Sequence, residues 1–129
     1  MVEGRGVELV LTLGTGVGSA LFLDGRLVPN LELGHHPFRD HRTYEQELGD
    51  RERKRIGKRK WNNRLQAALE TLLHTFSCRR LYLGGGNARL VLRPLPDRVR
   101  VVSNVAGILG GFHLWREEPR PRSPRPSRR

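Results

Sequence analysis

The segment "VELVLTLGTGVGSALFLDGRLVPNL" constrains the fold more than any other part of the chain, because it alternates short apolar runs with tight turns. Val7–Leu13 is apolar and rich in β-branched residues, which predicts a buried strand, and Val17–Leu23 predicts a second strand. Asp24 and Gly25 tolerate the positive φ of a two-residue hairpin turn, so Arg26–Leu31 is predicted to return as a third strand. The proline in this third segment cannot donate to a ladder and favours a strand end or a sheet edge. The segment therefore predicts a three-stranded antiparallel meander.

The remainder of the sequence alternates between helix and strand patterns. A polar region over residues 34–57 includes one short predicted helix, Thr43–Gly49, with Thr43 as its N-cap. Apolar residues recur at helical spacing over Lys60–Phe76, which predicts the longest helix. The further predicted elements are a strand at Arg79–Leu83, a short helix at Asn87–Leu92, a strand at Val99–Val102 and a helix capped by Ser103. This order predicts an α/β fold in which helices on right-handed crossovers pack on a mixed sheet.

The composition favours one folded domain followed by an unfolded tail. The chain has 129 residues, of which only 36% are apolar, and part of the deficit lies in "REEPRPRSPRPSRR", which has almost nothing to bury. We therefore predict a domain over residues 1–115 and a disordered Pro/Arg-rich tail over residues 116–129. No apolar run is long enough to span a membrane and the N-terminus lacks a secretion signal, so a cytoplasmic protein with no membrane partner is expected.

The net charge of +11 is concentrated in the tail and in the segment "RERKRIGKRK" at residues 51–60. This segment holds seven basic residues and one acidic residue. It is either a solvated face or a binding site for a polyanion such as nucleic acid, polyphosphate or an anionic surface. No aromatic residues alternate with the basic ones to stack on bases, which disfavours specific nucleic-acid binding.

The first glycine cluster is a candidate phosphate-binding site. It comprises Gly14, Thr15, Gly16 and Gly18, where glycines let backbone amides turn toward an anion and the threonine adds a hydroxyl donor. A strand follows it where the dinucleotide fingerprint and the Walker loop require a helix, so neither motif is present. The alternative is a plain hairpin that happens to contain glycines.

The second glycine cluster, Gly84, Gly85 and Gly86, comes directly after a predicted strand. Open sheets bind ligands beyond the carboxyl ends of their strands, so both clusters can face one cleft. The alternative is a tight strand-to-helix turn.

In "ELGHH", the Glu32 carboxylate and the His35 imidazole suit the hydroxyls of a polyol such as a sugar, although the polarity of a surface loop also accounts for them.

The sequence does not predict a metal site, a reactive thiol or a general base. Three nearby histidines without cysteines or a repeated spacing do not predict a metal site. Cys78, the single cysteine, is interpreted as a packing residue. Asp24 is accounted for by its turn, and Asp40 has no identifiable partner. No catalytic residue is therefore assigned.

Three motifs together resemble a known family: "LTLGTGVGSALFLDGRLVPNLELGHH", "RLYLGGGNARL" and "SNVAGILGG". In combination they are similar to the C-terminal half of the ROK family of sugar kinases and repressors, and most similar to its branch of polyphosphate glucokinases. The resemblance covers Val7–Trp115 and implies an actin-like ATPase domain on a ribonuclease-H-like core. In that fold a phosphate loop lies within a β-hairpin, which is where this sequence places "GTGVG". The implied activity is phosphoryl transfer from polyphosphate or ATP, with Mg²⁺, to glucose or a similar hexose.

The resemblance also implies roles for individual residues. Those implied to hold the phosphoryl donor are Gly14, Thr15, Gly16 and Gly18, with Gly84, Gly85 and Gly86 beside the nucleotide or donor chain. Glu32 and His35 match positions that contact sugar hydroxyls. The cysteine-rich loop of the zinc-binding members is absent, so no zinc is expected.

The largest departure from the family is at the N-terminal side. A ROK kinase has an N-terminal half with its own phosphate loop and the aspartate that serves as general base, and this sequence starts where that half should end. We therefore expect a truncated chain that is inactive alone, with a homodimer partner or a separately encoded N-terminal half. The alternative is a non-catalytic module that binds sugar or polyanion, or that mediates dimerisation. A DNA-binding repressor is disfavoured, because the helix-turn-helix of ROK repressors lies upstream.

Overall fold

The computed structural model describes residues 3–29 and 31–103, which form a mixed sheet with helices packed on it. The strands are β1 (Val7–Leu13), β2 (Val17–Leu23), β3 (Arg26–Val28), β4 (Pro37–Arg39), β5 (Arg42–Thr43), β6 (Arg80–Gly84) and β7 (Val99–Val101). The helices are α1 (Tyr44–Leu48), α2 (Asp50–Ile56) and α3 (Lys58–Thr75), with 3₁₀ turns at Leu33–His35 and Gly86–Leu90. Five strands form the main sheet in the order β3-β2-β1-β6-β7, and β4 pairs with β5 in a separate hairpin.

The predicted meander is confirmed, and the crossover strands join it in parallel. β1 pairs antiparallel with β2, and β2 with β3. The third strand ends at Val28, one residue before the proline that cannot donate to a ladder. β6 pairs parallel with β1, which places Gly84 opposite Thr12 at the carboxyl end of both strands. This register brings the two glycine clusters to the same edge of the sheet.

The core lies between one face of the main sheet and α3. The buried apolar residues of α3 include Trp61, Leu65, Leu69 and Leu72, and they form one cluster with inward residues of β1 and β6. The Trp61 indole is fully buried and donates a hydrogen bond to the Leu48 carbonyl at 3.0 Å, which ties α1 to α3. Cys78 is buried in the same cluster, and burial raises the pKa of its thiol to about 11.

The polar region of residues 34–57 holds more structure than predicted. The short helix capped by Thr43 is confirmed, with the Thr43 hydroxyl accepting from the Gln46 amide. The basic segment, however, is mostly helical, because α2 covers Asp50–Ile56 and α3 begins at Lys58 rather than at the predicted Lys60. Arg, Lys and Glu are good helix formers, and acidic residues precede basic ones by three or four positions.

Two further differences concern short elements. The predicted helix at Asn87–Leu92 is a 3₁₀ turn at Gly86–Leu90, and the β4–β5 hairpin was not predicted. The hairpin turns at Asp40 and His41, both of which have positive φ. Four predictions lie outside the described residues: the helix after Ser103, the end of the domain at residue 115, the tail, and most of the motif "SNVAGILGG". Within residues 3–29 and 31–103, no helix combines the length and apolar character needed to cross a membrane.

Candidate functional site

The two glycine clusters line one cavity at the carboxyl edge of β1 and β6. The cavity has a volume of about 430 Å³, and its lining is Thr12, Leu13, Gly14, Thr15, Gly16, Val17, Gly18, Glu45, Gly85 and Gly86. Six of the seven predicted phosphate-binding residues are in this lining. The seventh, Gly84, is buried at the end of β6. The structure thus brings together residues that are about seventy positions apart in sequence.

The contact between Gly85 and Leu13 holds the two clusters together. Gly85 has a φ of 88°, and a Cβ built on it would lie 2.5 Å from the Leu13 carbonyl oxygen and 2.8 Å from the Leu13 nitrogen. No side chain fits at that distance from backbone atoms, and the positive φ is itself unfavourable for other residues. Glycine at 85 is therefore required for the second cluster to approach the first.

The bend between β1 and β2 leaves two backbone amides available. The Gly14 amide donates to the Gly16 carbonyl at 3.1 Å, and the Val17 amide donates to the Glu45 carboxylate at 3.2 Å. Across the part of the chain that the structure describes, the amides of Thr15 and Gly16 donate to no protein acceptor. Adjacent free amides in a turn form a concave site for an anion.

Glu45 is a site residue that the sequence did not reveal. One of its oxygens accepts from Val17, and the other lies 3.9 Å from the His35 Nδ1 atom. A Cβ built on Gly16 would lie 1.9 Å from the Glu45 carboxylate, so the side chain rests directly on the bend. In the sequence, Glu45 is only an acidic residue in the first turn of a short helix.

The segment with the predicted sugar-binding pair packs against the start of β2. A Cβ on Gly34 would lie 2.4 Å from the Val17 carbonyl, and the Ser19 hydroxyl accepts from the Leu33 amide at 3.1 Å. The side chains of Glu32 and His35 are exposed on this segment. Glu45 therefore lies between the bend and His35 of the predicted pair.

Asp50 connects the two glycine clusters from the side of α2. Its amide donates to the Thr15 carbonyl at 3.2 Å, and its Oδ1 atom accepts from the Asn87 amide group at 3.1 Å. Asn87 also donates to the Gly14 carbonyl at 3.4 Å. Hydrogen bonds from Arg53 and then Asn87 hold the pKa of Asp50 well below its usual range. No sequence pattern identified this aspartate.

The basic segment divides into paired and unpaired cations. Arg53 and Lys54 pair with Asp50, and Arg55 pairs with Glu52. Hydrogen bonding from Arg55 lowers the pKa of Glu52 to about 2. Within this segment, the exposed cations that have no acidic partner among the described residues are Arg51, Lys58, Arg59 and Lys60.

Metal ligands do not converge on the cavity within the described residues, and neither Asp24 nor Asp40 is in its lining. No group of three or more His, Cys, Asp or Glu side chains within the described ranges is arranged to hold a metal ion. Asp24 has positive φ in its turn and accepts from the Gly6 amide at 2.8 Å, and Asp40 lies at the tip of the β4–β5 hairpin.

Comparisons relate the chain to sugar kinases, although no protein-family model matches it. It is 33% identical over 130 residues to polyphosphate glucokinase from Mycobacterium leprae (strain TN), and the match covers 85% of this chain and 39% of that protein. It is 34% identical to inorganic polyphosphate/ATP-glucomannokinase from Arthrobacter sp. strain KM. That crystal structure matches with a TM-score of 0.73 over 88% of this chain and 48% of its own.

A more distant structure extends the likeness in fold. The ROK family glucokinase from Streptomyces griseus, in complex with glucose and AMPPNP, is 18% identical and matches with a TM-score of 0.68 over 88% of this chain and 62% of its own. The predicted α/β fold of the actin-like ATPase type is confirmed by these neighbours. The chain spans less than half the length of the two relatives that share a third of its residues. The chain is thus similar in sequence to polyphosphate glucokinases, and it shares its fold with ROK family sugar kinases.

Proposed function

We propose that the chain is the C-terminal part of a cytoplasmic glucokinase-like enzyme that transfers a phosphoryl group from polyphosphate or ATP to glucose or a similar hexose. The observation that carries the proposal is the position of Glu45. Its carboxylate lies on the glycine bend, whose Thr15 and Gly16 amides are free, and also within 3.9 Å of His35. A donor phosphate on the amides and a hexose on the acid–imidazole group would therefore lie side by side.

The chemistry of the bend suits phosphoryl transfer. Catalysis of this reaction depends mainly on positioning and on stabilising charge on the transferred group. Backbone amides supply hydrogen-bond donors that are fixed before the donor binds, and Glu32, Glu45 and His35 supply acceptors and a donor for the hydroxyls of the sugar. Because no aspartate is among the described residues that line the cavity, the proposed base belongs to the N-terminal half that the resemblance implies.

A long polyanionic donor is favoured by the exposed cations of α2 and of the start of α3. Arg51, Lys58, Arg59 and Lys60 are exposed and lack acidic partners among the described residues. Several adjacent phosphates can pair with several cations, which a single nucleotide cannot do to the same extent. Binding of long polyphosphate should therefore weaken more steeply with salt than binding of ATP.

The proposal is tested by activity and by sugar binding. The chain is mixed with the separately produced complementary half of the Mycobacterium leprae relative, and glucose phosphorylation is measured with polyphosphate and then ATP. In calorimetry with the chain alone, Glu32→Ala should abolish glucose binding, whereas Glu70→Ala, an exposed change on α3, should leave it unchanged. Absence of product with both donors, despite folded protein, would refute the catalytic role.

A second candidate is a non-catalytic module that binds sugar or polyanion, or that mediates dimerisation. The absence of an aspartate from the described cavity lining favours it. Glucose binding that depends on Glu32, without phosphorylation in the mixture, would support this second function.

A further inference from the structure

α2 carries two acidic residues, Asp50 and Glu52, whose ion pairs face different parts of the molecule. Arg53 follows Asp50 by three residues, and Arg55 follows Glu52 by three residues, so each pair lies on its own face of the helix. Glu52 accepts from Arg64 of α3 at 2.9 Å. Asp50 instead contacts the glycine clusters, through the Thr15 carbonyl and the Asn87 side chain. Only the pair of Asp50 and Arg53 is therefore joined to the cavity.

Asp50 fixes the orientation of Arg53. The Arg53 Nε and Nη2 atoms donate to the same Asp50 oxygen at 3.1 and 2.7 Å, and Lys54 lies 3.1 Å from the other oxygen. The Arg53 side chain is only 21% exposed, so it is held against the protein. A guanidinium has five N–H donors in a fixed plane, so the N–H groups turned away from Asp50 remain available.

The carboxylates at the cavity require nearby cations if a phosphate chain is to bind there. Glu45 places a carboxylate on the bend, and the Asp50 carboxylate is linked to the bend through the Asn87 amide group, which also donates to the Gly14 carbonyl. Amides carry no net charge, and two carboxylates alone would repel a phosphate chain. Arg53 and Lys54 bring the sum of these four side chains to zero and provide donors for charge-assisted hydrogen bonds.

We propose that Asp50 is a positioning residue that holds the Arg53 guanidinium, with Lys54 beside it, where it contacts the phosphoryl donor bound at the glycine bend. This inference rests on the proposed function, because it assigns a donor-binding group within the same site. Asp50 acts through Arg53 and through the Asn87 bridge, and it does not touch the donor itself.

The direction in which Asp50→Asn changes the affinity for a polyanion distinguishes a positioning role of Asp50 from a purely electrostatic effect of net charge. Asp50→Asn removes a negative charge and makes the chain more cationic, so charge alone predicts tighter binding of a polyanion. Loss of the fixed guanidinium predicts weaker binding instead. With tripolyphosphate as the probe in calorimetry, Asp50→Asn and Arg53→Gln should each weaken binding by about tenfold or more. Both variants should also show a shallower dependence of affinity on salt.

Arg55→Gln is the matched control, because it makes the same charge change on the same helix at the same spacing from a carboxylate. It should leave tripolyphosphate affinity within about twofold of the parent. Thermal unfolding checks that the variants are folded. If Asp50→Asn does not fold, Arg53→Gln decides the outcome, since it leaves the bond between Asp50 and Asn87 intact.

Several results would overturn the inference. These are unchanged or tighter binding in Asp50→Asn, equal affinities of Arg53→Gln and Arg55→Gln, or no binding of tripolyphosphate by the parent chain. The same experiments distinguish failure of the proposed function from failure of the positioning role. Glucose phosphorylation with no difference between Arg53→Gln and Arg55→Gln refutes only the positioning role. Tripolyphosphate binding that depends on Arg53, without phosphorylation, refutes only the catalytic function.

Discussion

The Glu45 carboxylate accepts a hydrogen bond from the Val17 amide at 3.2 Å and thereby covers one side of the glycine bend. Gly16→Ala should displace this carboxylate, because the added Cβ would lie 1.9 Å from its oxygen. The Glu45 side chain is flexible at its end, so the fold should survive with a stability loss of about 1 kcal/mol or less. NMR should show that the Val17 amide loses its hydrogen bond.

Gly14→Ala is the structural control for that experiment, since a Cβ on Gly14 meets nothing within 4 Å. It should leave the Val17 amide resonance close to its original position. An unshifted Val17 amide in Gly16→Ala would contradict the placement of Glu45 on the bend.

Gly85→Ala should destabilise the protein strongly. The new Cβ would lie 2.5 Å from the Leu13 carbonyl, and the residue would keep a φ of 88°. The clash and the positive φ both strain the backbone, which cannot move aside as a side chain can. We therefore expect a loss of about 2–5 kcal/mol in the free energy of unfolding, measured by urea denaturation. Gly86→Ala has open space around its Cβ and should change stability by less than about 1 kcal/mol. Equal effects of the two variants would contradict the close contact.

The buried hydrogen bond of Trp61 should contribute measurably to stability. Trp61→Phe keeps a large apolar ring but leaves the Leu48 carbonyl without its donor, which should cost about 1–3 kcal/mol. Trp61→Ala also opens a cavity and should cost about 3–5 kcal/mol. Chemical denaturation followed by circular dichroism checks both values. A neutral Trp61→Phe would show that the hydrogen bond contributes nothing.

Acid should remove the stabilisation that Glu52 provides. Its pKa falls from 4.5 to about 2 in the folded chain, chiefly through hydrogen bonding from Arg55. A lowered folded pKa means that the stabilisation is complete above pH 4.5 and is lost as the pH falls toward 2. Urea unfolding of the parent and of Glu52→Gln should therefore differ most near neutral pH and converge over this range. A constant difference would contradict the ion pair.

The Cys78 thiol should resist alkylation in the folded chain. Burial raises its pKa to about 11, so little thiolate is present at pH 8 and the sulfur is inaccessible. Mass spectrometry after iodoacetamide treatment should show no modification until urea unfolds the protein. Rapid labelling of the native chain would contradict this placement.

The sequence was informative where a pattern is local. The strands around "GTGVG" follow from alternating apolar and turn residues, and the register of β1 with β6 then places both glycine clusters at one edge. α2 was not predicted, because its sequence has almost no apolar periodicity. The ion pairs that stabilise this helix are visible only in the structure. Glu45 and Asp50 were missed because their partners, Val17 and Asn87, come from elements far away in sequence.

The parallel pairing of β1 with β6 also has a consequence for biosynthesis. Glu8 and Arg80 pair across these strands although they are about seventy positions apart, so the ribosome must deliver both before they can pair with each other. A nascent chain released at an earlier point would contain the first hairpin and α3 but only one wall of the cavity. Ligands that act on the growing polypeptide would then find no complete site until β6 and the glycines after it have been synthesised.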